Sequence, residues 1–219
     1  MDYALKHSTS LKHLKKINSQ IQGKQFHEHT HILWDIRTML GDGVKTYCEI
    51  GSYVGSSACL MLSHFLETEV HCIDPLNLHP SHYGAQAPQR TILEDNIRKI
   101  CPGKTATIHQ NFSGDLSLLE SIDFPIDILF IDGDHTYRAV VADFTNYSHF
   151  VRSGGYVIFD DYNDSQHSPD VKKAVDAIVD TIQMQKSGWE IIGDLTNYQN
   201  AFPQVTISNA LNEFVLRKL

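Results

Sequence analysis

The sequence predicts an α/β protein with a doubly wound, mostly parallel, seven-stranded sheet. From residue 44 onward, short apolar segments alternate with amphipathic segments, which is the pattern of parallel strands joined by crossover helices. The first apolar segment ends at Glu49 and Ile50 and passes through a glycine-bearing turn into a helix of small and apolar residues. Acidic residues follow the later apolar segments, at the edge where open α/β sheets bind ligands.

The strands are recognised as apolar runs bounded by glycine, proline or acidic residues. We expect them at residues 44–50, 70–73, 105–109, 126–131, 156–159, 189–192 and 213–217. Apolar residues at helical spacing predict helices at residues 54–66, 89–100, 114–121, 137–151 and 171–185. The segment between the last two strands carries glycine, asparagine and proline without helical periodicity. This composition predicts a hairpin-like connection that places one strand antiparallel.

The chain is expected to divide into a helical extension, residues 1–43, and the α/β domain, residues 44–219. Apolar residues such as Ile17 and Ile21 recur at helical spacing in the extension, and Gly41-Asp42-Gly43 ends it. One domain with an extension is the natural expectation for 219 residues.

Charge and composition limit the classes of partner. A net charge of −8 with 42% hydrophobic residues is typical of a globular protein and argues against nucleic-acid binding. The apolar runs are too short for a membrane span, and the first residues lack the apolar core of a signal peptide. We therefore expect a cytoplasmic protein without a membrane partner, whose four cysteines are buried free thiols. A homo-oligomer is neither predicted nor excluded.

The turn after the first strand has the spacing Glu-x-Gly-x-x-x-Gly, from Glu49 to Gly55, and we call these residues the first turn. Without a Cβ, Gly51 allows a sharp turn and close approach of a ligand, and Gly55 allows close packing of helix and strand. The carboxylate and the sparse glycines suit a ligand with an amino group and no pyrophosphate, such as S-adenosylmethionine; ordinary α/β packing is the alternative. Asp74 ends the second strand, where an acidic residue binds a ribose or caps the next turn.

Three further carboxylates are candidates for a cation site. Asp132 follows the fourth strand, and Asp160 and Asp161 follow the fifth. Converging carboxylates repel one another unless a cation joins them, and hard oxygen ligands select Mg²⁺, Mn²⁺ or Ca²⁺. His135 lies within reach of this set and titrates near neutral pH, so it is a candidate general base. Asp134 is predicted to cap the helix that follows.

The loop over residues 75–88, which we call the 75–88 loop, leaves the carboxyl end of the second strand. It is long, with little periodicity. Such loops are usually functional or disordered, and we expect this one to be a lid that faces the substrate.

Together these motifs resemble those of class I S-adenosylmethionine-dependent methyltransferases. The resemblance covers residues 44–219 and is most specific at residues 49–55, 131–135 and 159–161. Within the class, the chain is similar to metal-assisted small-molecule O-methyltransferases of the macrocin and catechol types and to cephalosporin-hydroxylase-like relatives. The resemblance implies an S-adenosylmethionine site in which Asp74 holds the ribose, Ser113 lies against the adenine, and the methionine end is lined by Glu49, Gly51, Ser52 and Gly55.

The same resemblance implies that Asp132, Asp160 and Asp161 are metal ligands and that His135 is the catalytic base. A lysine stands at the position of His135 in catechol-type members, so the chain departs toward the sugar-type pattern. The implied reaction transfers a methyl group from S-adenosylmethionine to a hydroxyl of a small molecule. A sugar diol or catechol-like group would chelate the cation best.

Three other interpretations remain open from the sequence. His27 and His31 satisfy the His-Glu-x-x-His spacing of zinc hydrolases, although surface or helix-packing histidines explain them better. Asp132 and Asp134 form the Asp-x-Asp pattern of metal-dependent glycosyltransferases. A catalytically inactive cofactor-binding domain on the same fold is the third alternative.

Overall fold

A seven-stranded sheet forms the centre of the computed structural model, which describes residues 12–13, 15–23, 33–34, 36–37, 44–64, 68–84, 86–194 and 213–219. Its strands are β1 (Thr46–Ile50), β2 (Glu69–Ile73), β3 (Thr107–His109), β4 (Ile126–Ile131), β5 (Val151–Phe159), β6 (Trp189–Gly193) and β7 (Phe214–Lys218). They lie in the order β3-β2-β1-β4-β5-β7-β6. Only β7 runs antiparallel to its neighbours, β5 and β6. The predicted fold class is confirmed.

Helices cover both faces of the sheet. They are α1 (Ser56–His64), α2 (Gln89–Ile100), α3 (Leu116–Ser121), α4 (Tyr137–Tyr147) and α5 (Pro169–Gln185). Side chains of α1 and α2 pack on one face together with Ile17 and Leu33, and those of α3, α4 and α5 pack on the other. Alternate residues of β1, such as Tyr47 and Cys48, enter opposite cores. The strand ends therefore remain the open edge of the domain.

One buried carboxylate fixes the start of β1 against β4. Asp127 interrupts the apolar sequence of β4 and is only 4% exposed. Its Oδ2 accepts hydrogen bonds from the backbone N–H groups of Lys45 (2.7 Å) and Thr46 (2.8 Å), and its Oδ1 pairs with Arg152. These contacts satisfy two backbone donors at the start of β1 and offset the cost of burying the charge.

The boundary between α4 and β5 differs from the prediction. The helix expected over residues 137–151 ends at Tyr147, and the strand expected from residue 156 begins at Val151. Glycine is disfavoured in strands, so Gly154 and Gly155 suggested a break. Instead they accommodate a register shift between Ile126 and Ile128 of β4, where a Cβ on Gly155 would lie 2.9 Å from the Asp127 carbonyl oxygen. β3 is also shorter than predicted and begins at Thr107.

Some predictions fall outside the described residues. The His27–His31 motif and the connection over residues 195–212 are among them, and the extension over residues 1–43 remains a prediction. In the part of the chain that the structure describes, no helix has the length and apolar character needed to cross a membrane. All four cysteines are buried free thiols, as predicted.

We expect Asp127→Ala to destabilise the protein by about 2–4 kcal/mol, because it leaves two backbone donors and the Arg152 charge without their acceptor. Urea unfolding near neutral pH measures the change. Asp180→Ala, which removes an exposed carboxylate from α5, is the matched control and should change stability by less than about 0.5 kcal/mol. Equal stabilities for both variants would contradict the role of Asp127.

Candidate active site

A cavity of about 560 Å³ opens at the carboxyl ends of β1, β2, β4 and β5. This is the size of a small-molecule or cofactor site. Eight of the ten predicted site residues line it: Gly51, Ser52, Asp74 and Ser113 beside β1, β2 and β3, and Asp132, His135, Asp160 and Asp161 beside β4 and β5. Glu49 and Gly55 are not among its lining residues.

The two glycines of the first turn are required by packing within the protein. Gly51 has φ +93°, and a Cβ there would lie 1.9 Å from the carbonyl oxygen of Asp132. Gly55 has φ +84°, and its Cβ would lie 3.3 Å from Leu93 of α2, so the helix that it approaches closely is α2. The sequence attributed Gly51 to the approach of a ligand; the contact in the structure is with the turn after β4.

Glu49 is fully buried and does not line the cavity. Its carboxyl group accepts hydrogen bonds from the hydroxyls of Tyr47 (2.9 Å) and Ser57 (2.5 Å) and from the Cys72 thiol (3.4 Å). Burial raises the pKa of Glu49, and these donors oppose the rise. The contact of Glu49 with the methionine end of a cofactor stays a prediction, because its side chain is enclosed by protein groups.

Ser52 is a buried polar residue in the cavity wall, 2% exposed. Its hydroxyl lies near enough to Glu49 to lower the pKa of that carboxyl. Among the described residues, however, it has no hydrogen-bond partner of normal geometry. Buried hydroxyls are normally paired, so this one is suited to contact a bound molecule.

Asp74 holds two strained turns at the cavity edge. Its Oδ2 accepts a hydrogen bond from the Tyr53 N–H (2.8 Å), and its Oδ1 accepts one from the Leu76 N–H (2.7 Å). Tyr53 and Leu76 have φ +49° and +50°, which costs energy for residues with side chains. Burial raises the pKa of Asp74, and the backbone hydrogen bonds lower it. Asp74 thus caps local turns, as its alternative role required, while still lining the cavity.

Ser113 lines the cavity, and its hydroxyl is directed at a residue that the sequence analysis missed. It donates a 2.6 Å hydrogen bond to Asp143 of α4, which is 3% exposed. Burial raises the pKa of Asp143 to about 6; the Ser113 hydrogen bond opposes the rise, and the charge of Asp134 adds to it. Asp143 takes a core-facing position three residues after Val140, a signal that the sequence contained.

His135 lies between two of the predicted metal ligands. Its Nε2 is 3.3 Å from Asp132 Oδ1, and its Nδ1 is 3.2 Å from Asp161 Oδ2. Asp160 is 6% exposed, and its Oδ1 accepts the backbone N–H of Asp161, which has φ +59°. The Ser168 hydroxyl, also missed in the sequence, is 2.8 Å from both His135 Nδ1 and Asp161 Oδ2. These groups form one connected polar cluster.

The carboxylates dominate the electrostatics of this cluster. Withdrawal from water and the charge of Asp160 raise the pKa of Asp132, and the contact with His135 opposes this. The hydrogen bond to Asp132 raises the pKa of His135 to about 9, while burial opposes it and the charges of Asp132, Asp161 and Asp160 add to it. The pKa of His135 therefore lies above the near-neutral value expected from the sequence. With protein groups alone, the imidazolium is favoured; a cation on the carboxylates would act in the opposite direction.

Two predictions concern the β4 turn. Asp134 accepts the Thr136 N–H (2.9 Å) in the turn before α4, whereas the helix predicted to be capped by Asp134 is capped by Thr136. For the cation site, the described part of the chain contains no group of three His, Cys, Asp or Glu side chains already arranged around one point. Carboxylate oxygens of the kind that hard cations prefer are present, but they are engaged by His135, Ser168 and backbone donors.

The 75–88 loop faces the cavity and is held by contacts with the first turn and α2. Asn77, Leu78 and His82 line the cavity. Tyr83 is 1% exposed and packs with residues of the first turn and α2. Buried Gln89 of α2 accepts the Leu78 N–H (3.0 Å) and donates to the carbonyl of the first turn (3.0 Å). Its position facing the cavity agrees with the prediction; its movement as a lid remains a prediction.

The comparisons with known proteins agree with the fold. The family model for a methyltransferase domain matches residues 48–162, from β1 to the turn after β5. The chain therefore belongs to the methyltransferase-domain family. This confirms the family resemblance inferred from the first turn and the strand-end carboxylates.

A viral protein, "Uncharacterized protein R132" of Acanthamoeba polyphaga mimivirus, is 34% identical over 212 residues, covering 93% of this chain and 92% of the relative. Among solved structures, an O-methyltransferase from Bacillus cereus in complex with SAH has a TM-score of 0.60 at 14% identity, covering 96% of this chain and 90% of that one. The O-methyltransferase NovP has a TM-score of 0.59 at 19% identity, covering 99% of each chain. At such identities the structural likeness establishes the fold alone.

We expect Asp143→Asn to stabilise the protein at alkaline pH. A carboxyl whose pKa rises on folding from 3.8 to about 6 lowers stability as pH increases through that range, by up to about 3 kcal/mol. The amide stays neutral and can still accept from Ser113. Urea unfolding at about pH 8 should therefore show a gain that disappears below about pH 4, unlike in the control Asp180→Asn. A loss of stability at about pH 8 would mean that the native state needs the charge.

Proposed function

We propose that the chain transfers a methyl group from S-adenosylmethionine to a hydroxyl oxygen of a small molecule, assisted by a divalent cation. The observation that carries this proposal is the composition of the cavity at the strand ends. The first turn and Asp74 stand on one side of it, and Asp132, His135, Asp160 and Asp161 stand on the other. In this proposal the donor site and the proton-accepting site share one cavity, which is what aligned group transfer requires.

The first turn supports the cofactor part of the proposal. The orphaned Ser52 hydroxyl and the remaining lone pairs of Asp74 are polar groups in the cavity wall that a bound molecule can satisfy. When bound, S-adenosylmethionine supplies a methyl group that its sulfonium already activates. The part of the protein is to hold and orient: Asp74 would bind the ribose, and exposed Phe112 and the backbone near Ser113 would border the adenine.

The polar cluster around His135 supports the parts of the proposal that concern the cation and the proton acceptor. We propose that Asp132, Asp160 and Asp161 hold Mg²⁺, Mn²⁺ or Ca²⁺, which when bound lowers the pKa of a coordinated hydroxyl and orients it. The chemistry of these donors fits a hard cation, although their oxygens must leave present partners to bind one. His135 lines the cavity beside them and is the group proposed to accept the hydroxyl proton.

The charge of the cavity limits the kinds of methyl acceptor that it can bind. Its described lining includes Asp74, Asp132, Asp134, Asp160 and Asp161, and no lysine or arginine. This acidic wall opposes a phosphorylated or otherwise anionic acceptor. A neutral sugar diol or catechol-like group, which can chelate a cation through vicinal oxygens, fits better. The same charge opposes nucleic acid as a partner, and buried free thiols suit the reducing cytoplasm that we propose as its location.

S-Adenosylhomocysteine should stabilise the protein against heat, by about 2.7 kcal/mol at 100 times its dissociation constant. Ser52→Ala should weaken its binding about 5- to 10-fold, the value of one hydrogen bond. Among the described residues the Ser52 hydroxyl has no hydrogen-bond partner of normal geometry, so the variant without ligand should have nearly the stability of the native protein. Thermal shift and calorimetry measure both effects. Stabilisation by a nucleotide sugar but not by S-adenosylhomocysteine would favour the glycosyltransferase alternative.

Calorimetric titration with Mg²⁺ or Mn²⁺ tests the cation site. We expect binding to the native protein and to Asp180→Asn, whose lost carboxylate is exposed on α5, and at least tenfold weaker binding to Asp160→Asn. Affinity for S-adenosylhomocysteine should be similar in all three, because Asp160 follows β5, whereas the first turn follows β1. Methyl transfer to a vicinal diol should require the cation. Equal heats for native protein and Asp160→Asn would reject this ligand assignment.

A further inference from the structure

The buried hydroxyl of Ser168 does not make the helix-capping hydrogen bond that its position in the chain suggests. Ser168 immediately precedes α5, with Pro169 as the first helical residue, which is the usual place of a capping serine. Thr136 and Asp115 cap α4 and α3 through their side chains, whereas Ser168 makes no side-chain capping bond. Its hydroxyl instead reaches back to His135 Nδ1 and Asp161 Oδ2, at 2.8 Å each.

A nucleophilic serine is one explanation of this contact, but the surroundings oppose it. Ser168, His135 and Asp132 form a Ser-His-Asp series, as in hydrolases. A nucleophile must reach its substrate, yet Ser168 is 3% exposed and is not among the residues that line the cavity. Its hydroxyl is also held by Asp161. The serine is therefore placed to act on the imidazole and not on a substrate.

The direction of the hydrogen bonds follows from the number of protons. The hydroxyl has one proton, and the ionised Asp161 carboxylate can only accept. If Ser168 donates to Asp161, its oxygen must accept from His135, and the imidazole proton lies on Nδ1. The direct approach of Asp161 Oδ2 to the same nitrogen, 3.2 Å, favours a proton there too. Nε2 contacts Asp132 Oδ1 at 3.3 Å, the longest of the three contacts, and is the ring nitrogen with the lone pair when Asp132 carries a proton or a cation.

We propose that Ser168, backed by Asp161, is a positioning residue that holds neutral His135 as the Nδ1–H tautomer and directs Nε2 into the cavity as the proton acceptor. The significance of this positioning role for catalysis rests on the proposed function, in which His135 is the base. The tautomer and the ring orientation are properties of the protein alone. They can be measured without knowing the methyl acceptor.

Nitrogen-15 NMR of labelled protein tests the proposal, at pH values above the titration of His135, with His135→Gln to assign its signals. Native protein should show His135 mainly as the Nδ1–H tautomer. Ser168→Ala should shift the ring to a tautomer mixture, and Ser168→Thr, which keeps the hydroxyl, should restore the native spectrum. Ser168→Cys also removes the hydroxyl and replaces Ser168→Ala in the test if that variant folds poorly. An unchanged tautomer in folded Ser168→Ala, or a mainly Nε2–H ring in native protein, would overturn the proposal.

Two further measurements separate this inference from the proposed function. If Ser168 only supports α5, Ser168→Ala should lower the melting temperature and leave the His135 spectrum unchanged, which would overturn the positioning role. With an identified acceptor, Ser168→Ala should lower kcat roughly 10- to 100-fold with little change in KM, as when an orienting partner of a histidine is removed. Full activity of His135→Gln would reject His135 as the base, whatever the NMR result for Ser168.

Discussion

The two halves of the candidate site depend on one close contact between backbones. The carbonyl oxygen of Asp132 occupies the space where residue 51 would carry a Cβ, so only glycine permits the turns after β1 and β4 to meet. Paired strands hold both turns in register: the Asp132 N–H donates to Ile50, and the Gly51 N–H donates to Ile73. The cofactor side and the His135 side of the cavity are therefore set at a fixed separation by the sheet itself.

Carboxylates at this edge hold the chain where the regular ladder of hydrogen bonds ends. Asp74 binds the N–H groups of Tyr53 and Leu76, and Asp160 binds that of Asp161; all three donors belong to residues with φ between +49° and +59°. Such conformations persist only when the surroundings stabilise them. Residues that are candidates for ligand binding thus also shape the loops that form the site, and changing them will affect both properties.

Local sequence was sufficient to predict much of the fold and most of the cavity lining. Strand ends are visible as apolar runs followed by acidic residues, and parallel strands bring such ends to one edge. Contacts that join distant segments were not visible in this way. Ser168 meets His135 across 33 positions and Asp143 meets Ser113 across 30, distances over which one sequence gives no pairing signal. Gly154-Gly155 misled the prediction because propensity favoured a break where tertiary pairing imposed a bulge.

The position of β7 in the sheet affects how the chain folds during its synthesis. β6 is synthesised before β7, yet within the described chain it joins the sheet only through β7, which lies between it and β5. On the ribosome, the edge of β5 therefore stays unpaired until residues 214–218 have emerged, and β6 has no strand to join. Open strand edges attract other chains. The nascent protein passes through an aggregation-sensitive stage that ends only with the insertion of this strand.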